Sequence, residues 1–190
     1  MDKHSAKLSK FLSLILRHKP QVIGLQLDVN GWANVEELID LVNQHGIAIS
    51  YDLLDAMVKK NDKQRFTFNA DCTKVRANQG HSLAVDLELV AKPPPSILFH
   101  GTATRFLSSI REKGLLPGSR QHVHLAAEEV DAIRVGQRHG HPVVLVIQAE
   151  AMCQAGHQFY RAKNGVWLAE LVLPQYIQIP TNIGRSRFKP

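Results

Sequence analysis

The sequence predicts an α+β protein built from two lobes of different texture. Before residue 92, apolar side chains recur at the i, i+3, i+4 and i+7 spacing of amphipathic helices. After residue 96, they gather in short strand-like runs between polar segments. Between the two patterns stands Pro93-Pro94-Pro95, which lacks amide donors and favours an extended linker. We therefore predict lobes at 1–92 and 96–180, followed by a basic tail at 181–190.

Three helices and a hairpin account for the first lobe. An apolar stripe over residues 8–16 predicts the first helix, which must end before Pro20. Asn34 and Ser50 are the side-chain caps expected at the starts of the second and third helices. Two strand-like runs within residues 65–76 flank a polar turn and predict a β-hairpin. Three helices followed by a two-stranded wing is the element order of a winged-helix lobe.

The second lobe is predicted to be rich in strands, with few and short helices. His100-Gly101-Thr102 is expected to turn away from the first strand, and Thr104 to cap a helix that ends at Gly114. A second helix is expected over residues 127–136. Strands are predicted at 97–100, 123–125, 143–147, 166–168 and 176–179.

Composition narrows the class of protein and of partner. The 190 residues are 44% hydrophobic and 21% charged, which is typical of a folded globular protein. The net charge of +6 favours a polyanionic partner without distinguishing RNA, DNA and a phosphorylated small molecule. Cys72 and Cys153 lie in unrelated contexts and predict two reduced thiols. No apolar run approaches the ~20 residues that span a bilayer, so we expect a cytoplasmic protein.

The pair Arg17-His18 is the most informative feature of the chain. It closes the first predicted helix, where cations complement the helix dipole by about 0.3–1 kcal/mol, and that effect alone could explain it. The same pair can also bind or protonate a phosphate. Two further arginines, Arg65 and Arg120, each stand beside a strand-like run. Taken alone, Arg17-His18 favours the helix-dipole explanation, and an arginine on a wing such as Arg65 is usually a solvated edge charge or a contact to the phosphate backbone of a nucleic acid.

A metal site is the weaker interpretation of the histidines. His122 and His124 share one face of a strand by its period of two, and His100, His139 or His141 could supply a third ligand. No carboxylate stands at a supporting spacing, so no metal is predicted. The 100–102 segment, followed by free helix amides, suits a phosphate or pyrophosphate instead.

Eight segments together carry a family resemblance. In chain order they are Leu16-Arg17-His18-Lys19-Pro20, Leu27-Asp28 with Gly31-Trp32, Asp62-Lys63-Gln64-Arg65-Phe66, Gln79-Gly80-His81-Ser82, Leu98-Phe99-His100-Gly101-Thr102, Gly118-Ser119-Arg120-Gln121-His122-Val123-His124-Leu125, Val135-Gly136-Gln137-Arg138-His139-Gly140 and Asn164-Gly165-Val166-Trp167-Leu168. This ordered set closely resembles the bacterial type of the tRNA (RNA) 2′-phosphotransferase family. The resemblance covers nearly the whole chain, from Ser5 to Ile179.

The resemblance implies a fold and a reaction. The fold is an N-terminal winged-helix RNA-binding lobe and a C-terminal ADP-ribosyltransferase-like lobe with a split β-sheet core. The activity is that of an NAD-dependent RNA 2′-phosphotransferase, known from tRNA splicing. An internal RNA 2′-phosphate attacks NAD, expels nicotinamide and leaves an RNA-2′-phospho-ADP-ribose intermediate. The ribose 2″-hydroxyl then attacks the phosphorus, which releases the RNA and ADP-ribose 1″,2″-cyclic phosphate without a metal.

The resemblance also assigns residues to the reaction. It implies that Arg17, His18, Arg65 and Arg120 are catalytic. Guanidinium groups suit the chemistry, since they grip phosphate oxygens in pairs and stabilise charge that develops there. Two roles stay open for His18, namely general acid/base catalysis and phosphate binding as an imidazolium.

For NAD the resemblance implies a second set of residues. Val166 stands where protein-modifying relatives place a catalytic glutamate, which fits a nucleophile that is already an anionic phosphate. Ala126 departs from the serine common in the family, so a hydroxyl contact is not expected there. The implied NAD-binding residues are His100, Gly101, Thr102, His124, Arg138 and Val166.

Two other functions remain as alternatives. One is an ADP-ribosyltransferase that stops after one step and caps nucleic-acid phosphates or modifies protein. The other is a non-enzymatic winged-helix regulator that responds to a ligand. The expected state is a monomer, acting on 2′-phosphorylated RNA of tRNA or another kind.

Overall fold

The structure, a computed structural model, describes residues 3–59 and 64–180. The chain divides into two compact units. The first unit comprises Met1–Leu89 with Ser119–Gln121, and the second comprises Val90–Gly118 with His122–Pro190. The described residues form helices and small antiparallel sheets, which confirms the predicted α+β class. None of the described helices is long and apolar enough to span a bilayer, and the basic tail predicted at 181–190 lies outside the described residues.

The first helix of the first unit, α1 (Lys3–Arg17), follows its predicted apolar stripe. Leu8, Leu12, Ile15 and Leu16 are fully buried in the core of this unit. The helix ends at Arg17, and a short 3-10 helix, Pro20–Ile23, follows. The predicted stop before Pro20 is confirmed, because proline has no amide to continue the helical hydrogen bonding.

The next two helices of this unit start at the predicted caps. The Glu37 amide donates to Asn34 Oδ1 at 3.0 Å, and the Leu53 amide donates to Ser50 Oγ at 3.3 Å. Each bond satisfies one of the amides that a helix start leaves without a partner. The helices are α2 (Val35–Gln44) and α3 (Tyr51–Lys59).

A three-stranded antiparallel sheet completes the first unit, in the order β1-β3-β2. Its hairpin of β2 and β3 confirms the prediction, whereas the two-residue β1 was missed because so short a strand has no readable period. The hairpin extends beyond its regular pairing, since the Asn78 amide donates to the Arg65 carbonyl at 2.9 Å. The strands are β1 (Ala33–Asn34), β2 (Phe66–Phe68) and β3 (Lys74–Ala77).

The second unit is built on two antiparallel sheets of three strands each. Phe99 and Ala126 join them by a bridge in which each amide donates to the other residue's carbonyl at 2.8 Å. One sheet, in the order β4-β6-β9, contains β4 (Leu98–Ala103), β6 (Pro142–Ile147) and β9 (Ile177–Gln178). The other, in the order β5-β8-β7, contains β5 (Val123–Leu125), β7 (Phe159–Arg161) and β8 (Trp167–Ala169).

Short helices surround these sheets, and two predictions about them need correction. Thr104 is not a helix cap: a 3-10 helix, Thr104–Phe106, begins at this residue, and no side chain caps it. The segment 100–102 is not a turn, because it lies within β4 and pairs with β6. The helices are α4 (Leu107–Lys113), α5 (Glu129–Gly136) and α6 (Ala149–Gln154), with further 3-10 helices at Gln137–His139 and Pro174–Tyr176.

Gly101 was expected to form a turn but instead lets α5 approach β4 closely. A Cβ atom at this position would overlap the carbonyl oxygen of Ala132 and lie 2.8 Å from the Gly136 amide nitrogen, both in α5. The backbone of a packed helix cannot yield to such an overlap. The packing of α5 against β4 therefore requires glycine at position 101, which the sequence alone did not reveal.

We expect Gly101→Ala to destabilise the second unit by at least about 3 kcal/mol, since the overlap requires α5 to shift. Hydrogen exchange of the α5 and β6 amides should show the loss directly. Gly156→Ala is the control: its φ is +95° and nothing lies within 4 Å of its added Cβ, so only backbone strain of about 1 kcal/mol is expected. Equal effects of the two substitutions would contradict the close packing.

Candidate active site

The C-terminal end of α1 places Arg17 and His18 side by side at a sharp change of direction. The amides of His18 and Lys19 both donate to the carbonyl of Leu14, at 3.0 and 2.9 Å, so the helix closes here. Buried Leu16 anchors the last turn in the core. The two polar side chains that follow are half-buried, as expected for groups held at the rim of a packed helix.

A loop after β3 ties this helix end to a distant part of the chain. The Ser82 amide donates to the Arg17 carbonyl at 3.0 Å, and Ser82 Oγ lies 2.9 Å from His18 Nδ1. The neighbouring His81 carbonyl accepts the Gln121 amide at 3.1 Å. These bonds connect the dipeptide His81-Ser82 to Arg17, to His18 and to Gln121, which follows Arg120 in the chain.

Arg65 also contacts α1. It directly precedes β2, and its carbonyl is held by the Asn78 amide. Its Nη1 donates to Ser9 Oγ at 3.3 Å, and Ser9 is a buried residue of α1. The guanidinium is therefore directed toward the helix that carries Arg17, rather than serving as a charge on a strand edge.

The charges of these residues act on one another. Burial, followed by the fields of Arg65 and Arg120, lowers the pKa of Arg17 to about 10. Burial, followed by the fields of Arg17 and Arg120, lowers the pKa of His18. The side chain of Arg120 is exposed overall, yet partial desolvation lowers its pKa as well. The predicted catalytic residues thus form one cationic cluster within the first unit.

The half-buried Arg17 differs in its contacts from Arg76, a buried arginine of this unit. Arg76 Nη1 donates to the Asn30 carbonyl at 3.1 Å, and its guanidinium lies over the Trp32 ring at 4.3 Å. In Arg17, by contrast, Nε and Nη2 are buried and make no hydrogen bond to any described residue. Desolvated donors of this kind are costly unless an acceptor binds to them. Arg76 therefore fits a structural role, and Arg17 fits a site for an anion.

His81 is the second buried group of the cluster without a hydrogen-bond partner. It is 1% exposed, and neither ring nitrogen bonds to any residue that the structure describes. Burial, followed by the fields of Arg17, His18 and Arg76, lowers its pKa to about 4. The ring is therefore neutral at pH 7 and adds no charge to the three arginines.

We expect the stability of the first unit to fall as the pH drops from 6.5 toward 4. In this window His81 is protonated in the unfolded chain but not in the folded chain. The free energy of unfolding therefore falls, by about 3 kcal/mol at most. Hydrogen exchange of the α1 and β3 amides across this range should show the loss, and His81→Leu should flatten it. An unchanged slope in His81→Leu would contradict the assignment.

The residues predicted to bind NAD lie in the second unit. His100 in β4 and His124 in β5 are brought together, since His100 Nδ1 lies 3.0 Å from the His124 carbonyl oxygen. A carbonyl oxygen only accepts, so Nδ1 carries the proton of this hydrogen bond. The bridge between Phe99 and Ala126 holds the two strands in this register.

The remaining predicted ligands lie in the same unit and differ in exposure. Gly101 and Thr102 continue β4, and Thr102 is only 5% exposed. Val166 directly precedes β8, and its amide donates to Asn164 Oδ1 at 3.4 Å. Arg138 is exposed in the 3-10 helix Gln137–His139, which lies against β4.

The histidines considered as metal ligands are placed differently from one another. The His122 ring packs edge-on against the Tyr160 ring, with 5.7 Å between the ring centroids, and burial lowers the pKa of His122. His139 lies in a 3-10 helix and His141 beyond it, both exposed. Within residues 3–59 and 64–180, no group of three or more His, Cys, Asp or Glu side chains has a metal-binding arrangement.

The geometry does not show the family of this chain, whereas the match to a family model does. The model of the RNA 2′-phosphotransferase, Tpt1 / KptA family matches residues 3–171. The chain belongs to this family. The family is one of transferases, so the chain is assigned to an enzyme class, and the resemblance read from its motifs is confirmed.

Relatives of the family match over almost their full length. A protein of Acaryochloris marina is 52% identical over 176 residues, which are 93% of this chain and 97% of the relative. A protein of Pseudomonas fluorescens is 53% identical over 90% of this chain and 94% of its own. One of Flavobacterium johnsoniae is 48% identical over 94% of this chain and 98% of its own. Each is named "Probable RNA 2'-phosphotransferase".

For this family member, the sequence did not predict the contacts that His81 and Ser82 make with the cationic cluster. Both occur in the motif Gln79-Gly80-His81-Ser82, which carried the resemblance but received no function. They lie in a loop without regular structure, so no periodicity predicted which groups they contact. The only available signal was a polar pair next to glycine outside any predicted helix or strand.

Proposed function

We propose that this protein is an NAD-dependent RNA 2′-phosphotransferase that removes an internal 2′-phosphate from RNA. The observation that supports this most is Arg17, whose buried Nε and Nη2 have no hydrogen-bond partner among the described residues. Arg65, Arg120 and His18 share its field. A phosphate supplies the negative charge and the several acceptor oxygens that such a cluster requires.

In the first step the three arginines hold and orient the 2′-phosphate. One of its oxygens bonds to the anomeric carbon of the nicotinamide ribose while the bond to nicotinamide breaks. The nucleophile is already an anion, so no carboxylate is needed to deprotonate it. Bidentate guanidinium contacts restrict the phosphate to a productive orientation, which lowers the entropic part of the barrier.

In the second step the ribose 2″-hydroxyl attacks the phosphorus, and the bond from phosphorus to the RNA 2′-oxygen breaks. Charge grows on the nonbridging oxygens, and preplaced arginines stabilise it. The proton lost by the 2″-hydroxyl must be taken up, and the departing RNA oxygen must receive one. His18 is the group of the cluster suited to both transfers. Its lowered pKa leaves it neutral at pH 7, so it can take up the first proton, and the imidazolium formed in this way can give a proton to the RNA oxygen.

The second unit supplies the residues proposed to hold NAD. The bond from His100 Nδ1 to the His124 carbonyl fixes the orientation of the imidazole, a polar ring suited to contact the nicotinamide ribose. The Thr102 hydroxyl provides a further polar contact, and Val166 an apolar one. Arg138 is exposed and cationic, as a ligand of the pyrophosphate or adenosine would be. Gly101 keeps its place in this strand through the packing of α5.

The fold supports the same assignment. The order α1, β1, α2, α3, β2, β3 in the first unit is compatible with a winged-helix domain, and the net charge of +6 suits RNA binding. Two small sheets joined at one bridge in the second unit suit the split sheet of an ADP-ribosyltransferase-like domain. We propose these two domains, at 1–92 and 96–180, as the RNA-binding and NAD-binding lobes, and the short segment Ser119–Gln121 belongs by its contacts to the first unit.

An oligonucleotide with one internal 2′-phosphate tests the proposal. With NAD, we expect the phosphate to leave the RNA and nicotinamide and ADP-ribose 1″,2″-cyclic phosphate to form, while without NAD the RNA should stay unchanged. A lasting ADP-ribosylated adduct would indicate the single-step transferase instead. RNA unchanged in the presence of NAD would indicate a binding protein without this activity.

A further inference from the structure

The loop dipeptide His81-Ser82 contacts two of the segments that carry catalytic residues. Ser82 bonds to Arg17 through its backbone amide and to His18 through its hydroxyl, at 3.0 and 2.9 Å. The first bond sets the position of the loop, and the second involves only the serine side chain. Replacing the hydroxyl therefore leaves the backbone anchor in place, which separates the two roles.

The Ser82 contact decides which nitrogen of His18 can exchange a proton with a substrate. Nδ1 is committed to the serine hydroxyl, so proton transfer has to use Nε2. A hydroxyl can accept a hydrogen bond from Nδ1–H in both the neutral and the protonated ring. If instead the serine hydroxyl donated to an unprotonated Nδ1, this hydrogen bond would be lost whenever the ring became an imidazolium.

The surroundings of His18 favour a neutral ring before substrate binds. The charged and titratable groups that face it are Arg17, Arg120 and His81. Two of them are guanidiniums that disfavour a further positive charge, and His81 is neutral at pH 7. A neutral ring protonated at Nδ1 has its lone pair on Nε2, which is the state a general base needs.

We propose that Ser82 is a positioning residue that holds the proton of neutral His18 on Nδ1 and so makes Nε2 the base of the second step. This rests on the proposed function. Nε2 takes the proton of the 2″-hydroxyl as that oxygen bonds to phosphorus. The imidazolium then gives a proton to the RNA 2′-oxygen as its bond to phosphorus breaks. Throughout this exchange Nδ1–H keeps its bond to the serine.

Single-turnover kinetics of Ser82→Ala test this inference. We expect the RNA-2′-phospho-ADP-ribose intermediate to form within about twofold of the wild-type rate and its conversion to cyclic phosphate to slow by about 10- to 100-fold, because the tautomer is no longer fixed. Ser82→Thr keeps a hydroxyl and should restore most of the second step. Ser13→Ala, which removes a hydroxyl bond to the Ser9 carbonyl on the same helix, should leave both steps unchanged.

A measurement without turnover separates this inference from the proposed function. The ¹⁵N shifts of the His18 ring, assigned by comparison with His18→Gln, should show a proton on Nδ1 in the wild type and a mixture of tautomers in Ser82→Ala. A proton on Nε2 in the wild type would overturn the inference, as would equal slowing of both steps in Ser82→Ala or no slowing of the second. Wild-type protein that leaves 2′-phosphorylated RNA unchanged would refute the proposed function, while the shifts would still test the Ser82 contact.

Discussion

Arg17→Met should make the first unit more stable and the enzyme inactive. Burial and two neighbouring guanidiniums lower the pKa of Arg17 from its ordinary value to about 10, which corresponds to about 3 kcal/mol of unfavourable interaction in the unliganded protein. A methionine fills the space of the stem, and the buried charge disappears. The same change removes the donors for the 2′-phosphate, so turnover should fall by at least about 1,000-fold.

Two measurements on Arg17→Met check both parts of this expectation. Hydrogen exchange of the α1 and β3 amides reports the stability of the unit, and release of nicotinamide reports turnover. Lys10→Met removes an exposed cation from the same helix and should change neither quantity appreciably. A loss of stability in Arg17→Met would mean that the guanidinium holds the fold together, and an active variant would refute its catalytic role.

His18→Ala should stop the reaction between its two steps. The first step needs only an oriented phosphate, so we expect it to proceed within several-fold of the wild-type rate. The second step loses its acid and base and should slow by about 100- to 10,000-fold. The adduct of RNA and ADP-ribose should therefore accumulate and be seen directly by gel shift or mass spectrometry.

The pH dependence of the wild-type second step distinguishes the two roles left open for His18. Its pKa lies below 6.5, and the groups that face it are Arg17, Arg120 and His81. A general base requires the neutral ring, so the rate should rise as the pH increases toward 6.5 and level off above it. A phosphate-binding imidazolium requires the opposite, with a rate that declines over this range. The second profile, or equal slowing of both steps in His18→Ala, would exclude the base role.

Local patterns predicted the helical part of the first unit correctly. The apolar stripe of α1 and the caps Asn34 and Ser50 act within a few residues, so sequence spacing contains the information needed. The same reasoning failed at residues 100–102, which form a strand instead of a turn. Glycine permits a turn and also permits close helix packing, and only the position of α5 showed which applies at Gly101.

For the candidate site, the sequence determined the family and predicted the chemical groups, because ordered motifs point to Arg17, His18, Arg65 and Arg120 without reference to space. Tertiary structure decided how these groups affect one another. Burial, like-charge repulsion and hydrogen-bond partners depend on atoms that lie far apart in the chain. His18 and Ser82 are 64 positions apart in the sequence, so no local pattern encodes their contact of 2.9 Å.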